Sequence, residues 1–109
     1  MPIATFIHEG ASIDYTPGAN VAAGDVVVQG DLVGVAKLDI LAGKLGALAV
    51  EGVFEFPKEF GEAHPAGQTL YWDDSNDVVT VTATGNKFIG KVVRAAAASD
   101  LTVCVRLNQ

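Results

Sequence analysis

Apolar and polar side chains alternate along much of this chain with the period of two that belongs to β-strands, and glycine or proline interrupts the pattern about every ten residues. From Gly46, the side chains Leu48, Val50, Phe54 and Phe56 fall on one face of an extended segment. Ala47, Ala49, Glu51, Val53 and Glu55 fall on the other, and Gly52 marks a bend or bulge in mid-run. The final segment is cleaner: Leu101, Val103, Val105 and Leu107 point one way, and Thr102, Cys104 and Arg106 the other. Residues 25–29 and 32–37 flank Gly30-Asp31, a two-residue turn favoured in hairpins. Residues 68–73 and 78–84 flank a second hairpin loop, Asp74-Ser75-Asn76-Asp77, and residues 87–94 read as another strand.

Two short stretches break this rhythm. The alanines at 95–98 have helical propensity enough for about one turn and equally suit a tightly packed strand end, and Pro57 suits the first position of a second turn at residues 57–60. Residues 1–24 carry weaker signals, as a segment that gains order from a partner would. The expected architecture is therefore all-β: a small single-domain β-barrel or sandwich over residues 1–109, with one or two short helical turns.

Composition narrows the function classes. A chain of 109 residues has room for one core and is too short for two. Half of the residues are hydrophobic, and most of these are small, with 16 Ala and 15 Val against 8 aromatics. That apolar content argues for a packed fold over disorder. A net charge of -6 with only 7 Lys and Arg argues against nucleic acid and against an anionic membrane surface, both of which need cations. One cysteine, Cys104, leaves no internal disulfide framework and points to a cytosolic origin. The N-terminus lacks the basic and apolar regions of a signal peptide, and no apolar run approaches the ~20 residues of a membrane helix.

Candidate chemistry does not survive inspection. Gly85 to Val92 fits the phosphate-loop pattern G-x-x-x-x-G-K, but Val92 stands where a hydroxyl should meet magnesium. Phe88 and Ile89 lead it into a strand where a helix should open. Asp73, Ser75 and Asp77 alternate like calcium ligands, yet Val78 and Thr84 occupy the positions that need Gly and Glu, so a structural turn is expected. Glu51, Glu55, Glu59 and Glu62 cluster near His64 and read as a solvated acidic face. His8, His64 and Cys104 have no metal-ligand spacing, and Ser12, Ser75 and Ser99 sit in turn-like contexts. Cys104 reads as a structural thiol with Arg106 as its one local cation. Trp72 reads as a core anchor, which turns Tyr71 to the opposite face as a contact residue. No catalytic, cofactor-binding or metal-binding residue is assigned.

Several runs nevertheless resemble a known family. Val53-Phe54-Glu55-Phe56-Pro57-Lys58, then Ala63, Gly67 and Tyr71-Trp72-Asp73, look like the capsid cement or head decoration proteins of tailed bacteriophages. So do Thr82-Ala83-Thr84-Gly85-Asn86, Ile89-Gly90, the alanine-rich stretch and the closing Val105-Arg106-Leu107. Members are sometimes mislabelled as recombinases, a label the failed phosphate-loop match would explain. The resemblance is strongest from about Gly30 onward, and it implies a β-rich structural protein without catalysis. It implies a place on the outer surface of the mature head, with synthesis in the bacterial host cytoplasm. The implied partners are the major capsid protein and further copies of itself, as a homotrimer or homodimer.

Within that reading, residues 1–16 form a candidate attachment arm, and Ile3, Phe6, Ile7, Ile13 and Tyr71 are the candidate capsid or subunit contacts. The competing expectation is a β-rich surface-binding module for a host glycan or protein, using exposed loops such as 73–77.

Overall fold

Three consecutive valines, Val26-Val27-Val28, suit a strand buried on both faces rather than one wetted on alternate sides. All three are half-buried in an edge strand, Val26 and Val28 against one core and Val27 against another. A computed structural model describes residues 3–109, and among them nine strands form and no helix does. The strands are β1 (Ser12–Tyr15), β2 (Val26–Gln29), β3 (Leu32–Ala36), β4 (Gly46–Ala49), β5 (Glu51–Pro57), β6 (Thr69–Asp73), β7 (Val78–Thr80), β8 (Lys87–Arg94) and β9 (Thr102–Asn108). A four-stranded sheet has the order β1-β4-β3-β2, and a five-stranded sheet has the order β5-β9-β8-β6-β7. All ladder pairings are antiparallel. The two sheets pack as a sandwich. The larger one curls until Lys58, just past β5, makes an isolated parallel bridge to Val79 in β7, but it does not close into a barrel.

Both anticipated hairpins form. Gln29 pairs with Leu32 across Gly30-Asp31, and Gly30 takes φ 62°, the positive value required at the first position of a II′ turn. Asp73 pairs with Val78 across residues 74–77, where Asp77 adopts φ 55°. The Asp73 carboxylate accepts hydrogen bonds from the backbone of Ser75 (3.1 Å) and Asn76 (3.3 Å) and from the Asn76 side chain (2.8 Å). This is the turn-forming role expected of these residues.

The long alternating run at 46–56 divides at Val50. Residues before it belong to the small sheet and residues after it to the large one, so one extended segment turns the corner of the sandwich. Gly52, with φ 132°, supplies the expected bend.

Two cores result. Val26, Val28, Val33 and Val35 face the large sheet and pack with Phe56, Leu70, Trp72, Ile89, Val105 and Leu107. Trp72 is the anchor its sequence position suggested, 5.9 Å from Phe56 between ring centroids. Burial of side chains this size contributes about 1.5–3 kcal/mol each. On the opposite face of the small sheet, Ala36, Ile40 and Leu48 form a second core with Ile13, Tyr15, Val21 and Val27. It is roofed by the connecting loops, which join through a bridge between Val21 and Ile40.

Some expectations need correction. Neither short helical turn forms. Ala96 exchanges two backbone hydrogen bonds with His64, each 2.9 Å, which keeps the alanine run extended. Pro57 ends β5, and Lys58 pairs with Val79. In both places strand pairing outweighs local propensity. The strand expected over 78–84 stops at Thr80. Leu101, expected to face inward, is exposed because β9 begins one residue later.

Candidate attachment surface

A side chain that contributes to neither core and covers nothing is available for contact. Residues 3–10 form no strand and are all exposed, and Ile3, Phe6 and Ile7 are 100%, 76% and 79% accessible. Three large apolar side chains within five positions make this the least satisfied hydrophobic stretch of the described chain. It leads directly into β1, an edge strand of the small sheet. There Ile13 packs half-buried against the second core, opposite Leu48 in the ladder. The candidate arm thus divides: residues 11–16 are joined to the fold through β1 and the hydrogen bond from Val50 N to the Ala11 carbonyl, residues 3–10 precede it, and residues 1–2 lie outside the described residues.

Beside β1 the structure adds residues that the alternation did not single out. Leu38, Leu41 and Leu45 are exposed on the loop between β3 and β4. Leu38, Ile40 and Leu45 line an open cleft of about 440 Å³ with Ser12, Ala47 and Ala49. In sequence these leucines are spaced three and four apart among Lys37, Asp39, Gly43 and Lys44, which matches no strand period. Their signal is only that large apolar residues occur in a loop.

Tyr71 lies on the large sheet, away from this cleft. It points outward as the alternation required, half-buried, and meets Phe88 edge-on with centroids 6.1 Å apart. The structure therefore does not bring the five candidate contact residues together. Ile3, Phe6 and Ile7 share one segment, Ile13 is built into the small sheet, and Tyr71 belongs to the other sheet.

The polar residues weighed for chemistry are occupied structurally. Gly85 to Val92 is a turn followed by β8, and Lys91 sits in an antiparallel ladder, not at a helix N-terminus. The Asn76 side-chain hydrogen bond holds the Asp73 carboxyl below the usual carboxylate range, and Asp74 accepts a 2.9 Å hydrogen bond from Trp72 Nε1. Glu51, Glu55 and Glu59 are exposed, as expected of a solvated acidic face. Glu62 is not: it accepts a 2.8 Å hydrogen bond from Thr80 Oγ1 and lies 3.3 Å from the fully buried His64.

The Glu62 and His64 placement departs from the sequence reading because the β5–β6 connection folds back onto the sheet. The bridge from His64 to Ala96 carries the ring inside, where Nδ1 lies 2.7 Å from Gln68 Oε1. The Thr80 hydroxyl donates to one oxygen of the carboxylate and the imidazole faces the other, so the carboxylate is held between two groups of the protein itself. The cluster pins a loop. Lys58, only 5% exposed, donates from Nζ to the carbonyls of Glu59 (3.3 Å), Ala98 (3.3 Å) and Asp100 (3.1 Å), clamping the connection between β8 and β9.

Cys104 is half-buried on the outward face of β9, paired in the ladder with Glu55 on one side and Arg94 on the other. Among the described residues no group of three or more His, Cys, Asp or Glu is placed to hold a metal ion. No helix there is long and apolar enough to cross a membrane.

Among known families, the model described as "Phage cement protein" matches residues 7–107. No curated protein and no solved structure matches the chain.

Proposed function

The chain belongs to the phage cement protein family, a structural component of the bacteriophage capsid, and we propose that it binds the outer surface of the mature head and cements neighbouring capsid subunits without catalysing a reaction. The observation that carries this reading is the apolar N-terminal segment, whose Ile3, Phe6 and Ile7 find no place in either core. Buried against a capsid subunit, each contributes about 1.5–3 kcal/mol of transfer free energy, offset by the entropy of ordering the segment. The cleft beside β1 supplies a second apolar surface close to where that segment leaves the fold.

A protein that binds the expanded shell and not its precursor stabilises the expanded shell by mass action. Many copies on one lattice, each touching more than one subunit, add avidity without needing a tight single contact. Small side chains suit such closely apposed surfaces, and the acidic balance keeps the free protein soluble. The major capsid protein is the partner in this reading.

Co-sedimentation with expanded heads that lack the protein tests it. Saturable binding at a stoichiometry set by icosahedral symmetry is the expected result, with heat challenge of the filled particles reporting the cementing. A chain lacking residues 2–9 is expected to bind much more weakly. Absence of binding by the full chain would sink the reading in favour of a surface-binding module.

A further inference from the structure

Lys91 on β8 and Arg106 on β9 are directly paired across the ladder, so two cations stand side by side on the outward face of the large sheet. Like charges in this relationship destabilise a sheet. Arg94 adds a third positive charge to the same two strands. Among the described residues none of the three forms an ion pair, although the chain carries an excess of six negative charges. The neighbouring strand β5 bears the opposite sign: Glu51 and Glu55 are exposed on either side of Val53, itself 60% accessible and paired with Arg106.

Among the described residues, one sheet face therefore holds a column of unpaired acids beside a cluster of unpaired bases. Val53 and Phe88 are exposed on it, and Phe88, Gly90, Lys91, Arg106 and Asn108 line a shallow depression of about 250 Å³. A surface that is its own charge complement fits a second copy of itself by a twofold contact, in which each patch on one copy meets the other patch on its mate.

We propose that the outer face of β5, β9 and β8 is a self-association surface that pairs Glu51 and Glu55 of one copy with Lys91 and Arg106 of another. Pairing through the free edge of β5 is disfavoured by the same residues. A twofold antiparallel ladder centred on Val53 would set Glu51 of each copy against Glu55 of the other. The face, not the edge, carries the contact. This surface is separate from the N-terminal segment, so self-association and capsid attachment fail independently.

Sedimentation velocity over a concentration series, at low and high salt, tests the proposal on the full chain. The wild type is expected to dimerise, more weakly as salt rises. Lys91→Glu with Arg106→Glu, and separately Glu51→Lys with Glu55→Lys, are each expected to weaken the dimer on the order of 100-fold. Mixing the two variants restores a mixed dimer. All four positions are exposed, and unchanged thermal midpoints in both variants would establish that the fold is intact. A wild type that stays monomeric overturns the proposal, as does a mixture that fails to pair. A monomer that still fills heads would remove this surface and leave the attachment reading standing. A dimer that ignores heads would do the reverse.

Discussion

Gly90 lies directly beneath the carbonyl of Arg106: a Cβ built on it would stand 1.9 Å from that oxygen and 2.9 Å from its carbon. The residue sits where β8 shifts register against β6, at φ 153°, with the β9 backbone passing over it. The glycine that completed a phosphate-loop pattern in the sequence is there because two strands approach too closely for any side chain.

Gly90→Ala is accordingly expected to cost about 3 kcal/mol or more, since backbone on both sides has no room to yield. Gly85→Ala makes the contrast. Gly85 also has positive φ, 78°, but a Cβ there meets nothing within 4 Å, so its cost is about 1–2 kcal/mol of backbone strain alone. Urea unfolding of both variants checks the ranking, and equal losses would refute the steric account.

Lys58 is a buried cation held, among the described residues, by carbonyls and by no carboxylate. Lys58→Met keeps the apolar stem but leaves three acceptors without their donor, a loss expected near 2 kcal/mol. For a domain of this size that lowers the thermal midpoint by about 10 °C. An unchanged midpoint would mean that those carbonyls do not depend on the ammonium.

The two sheets are also tied at one corner, where Lys87 Nζ donates to Asp31 Oδ1 across 2.7 Å. That hydrogen bond, reinforced by the lysine charge, holds the exposed Asp31 carboxyl below its ordinary value. A lowered folded-state pKa gives a contribution fully present above the unfolded value, about 4, and lost as pH falls through the folded one. Asp31→Asn should therefore be slightly less stable than wild type at pH 7 in low salt. The difference should vanish in 1 M salt and again in acid, because an exposed pair is screened and needs its charge. Denaturant midpoints under the three conditions are the measurement, and a difference that persists in acid would exclude the ionic origin.

Removing residues 2–9 is expected to leave unfolding free energy within about 0.5 kcal/mol of wild type, because residues 3–9 cover no core. Ala11, whose carbonyl accepts the Val50 amide at 2.9 Å, must be kept. A large loss in calorimetry would show that the segment packs on the fold and is not held free for a partner.

Strand identity was legible in the sequence wherever one face is buried and the other wet. Val103, Val105 and Leu107 alternate with exposed or half-buried partners through β9, and period two specifies their environment residue by residue. The two hairpins were legible for a related reason, since Gly30 and the Asp73 to Asp77 cluster carry local turn chemistry. The family resemblance rested on this same punctuation. Relationships between segments distant in the chain were decided only by the tertiary structure. The alanines at 95–98 have the same intrinsic preference in any context, and it took His64, thirty-two positions before Ala96, to hold them extended. Glu62 lost much of its solvent to a loop that folds back. The Lys91 and Arg106 pairing arises from strand register, which no local pattern encodes. Periodicity reports which side of a strand is buried, whereas contact between strands depends on how the whole chain closes on itself, and there long-range packing outweighs local propensity.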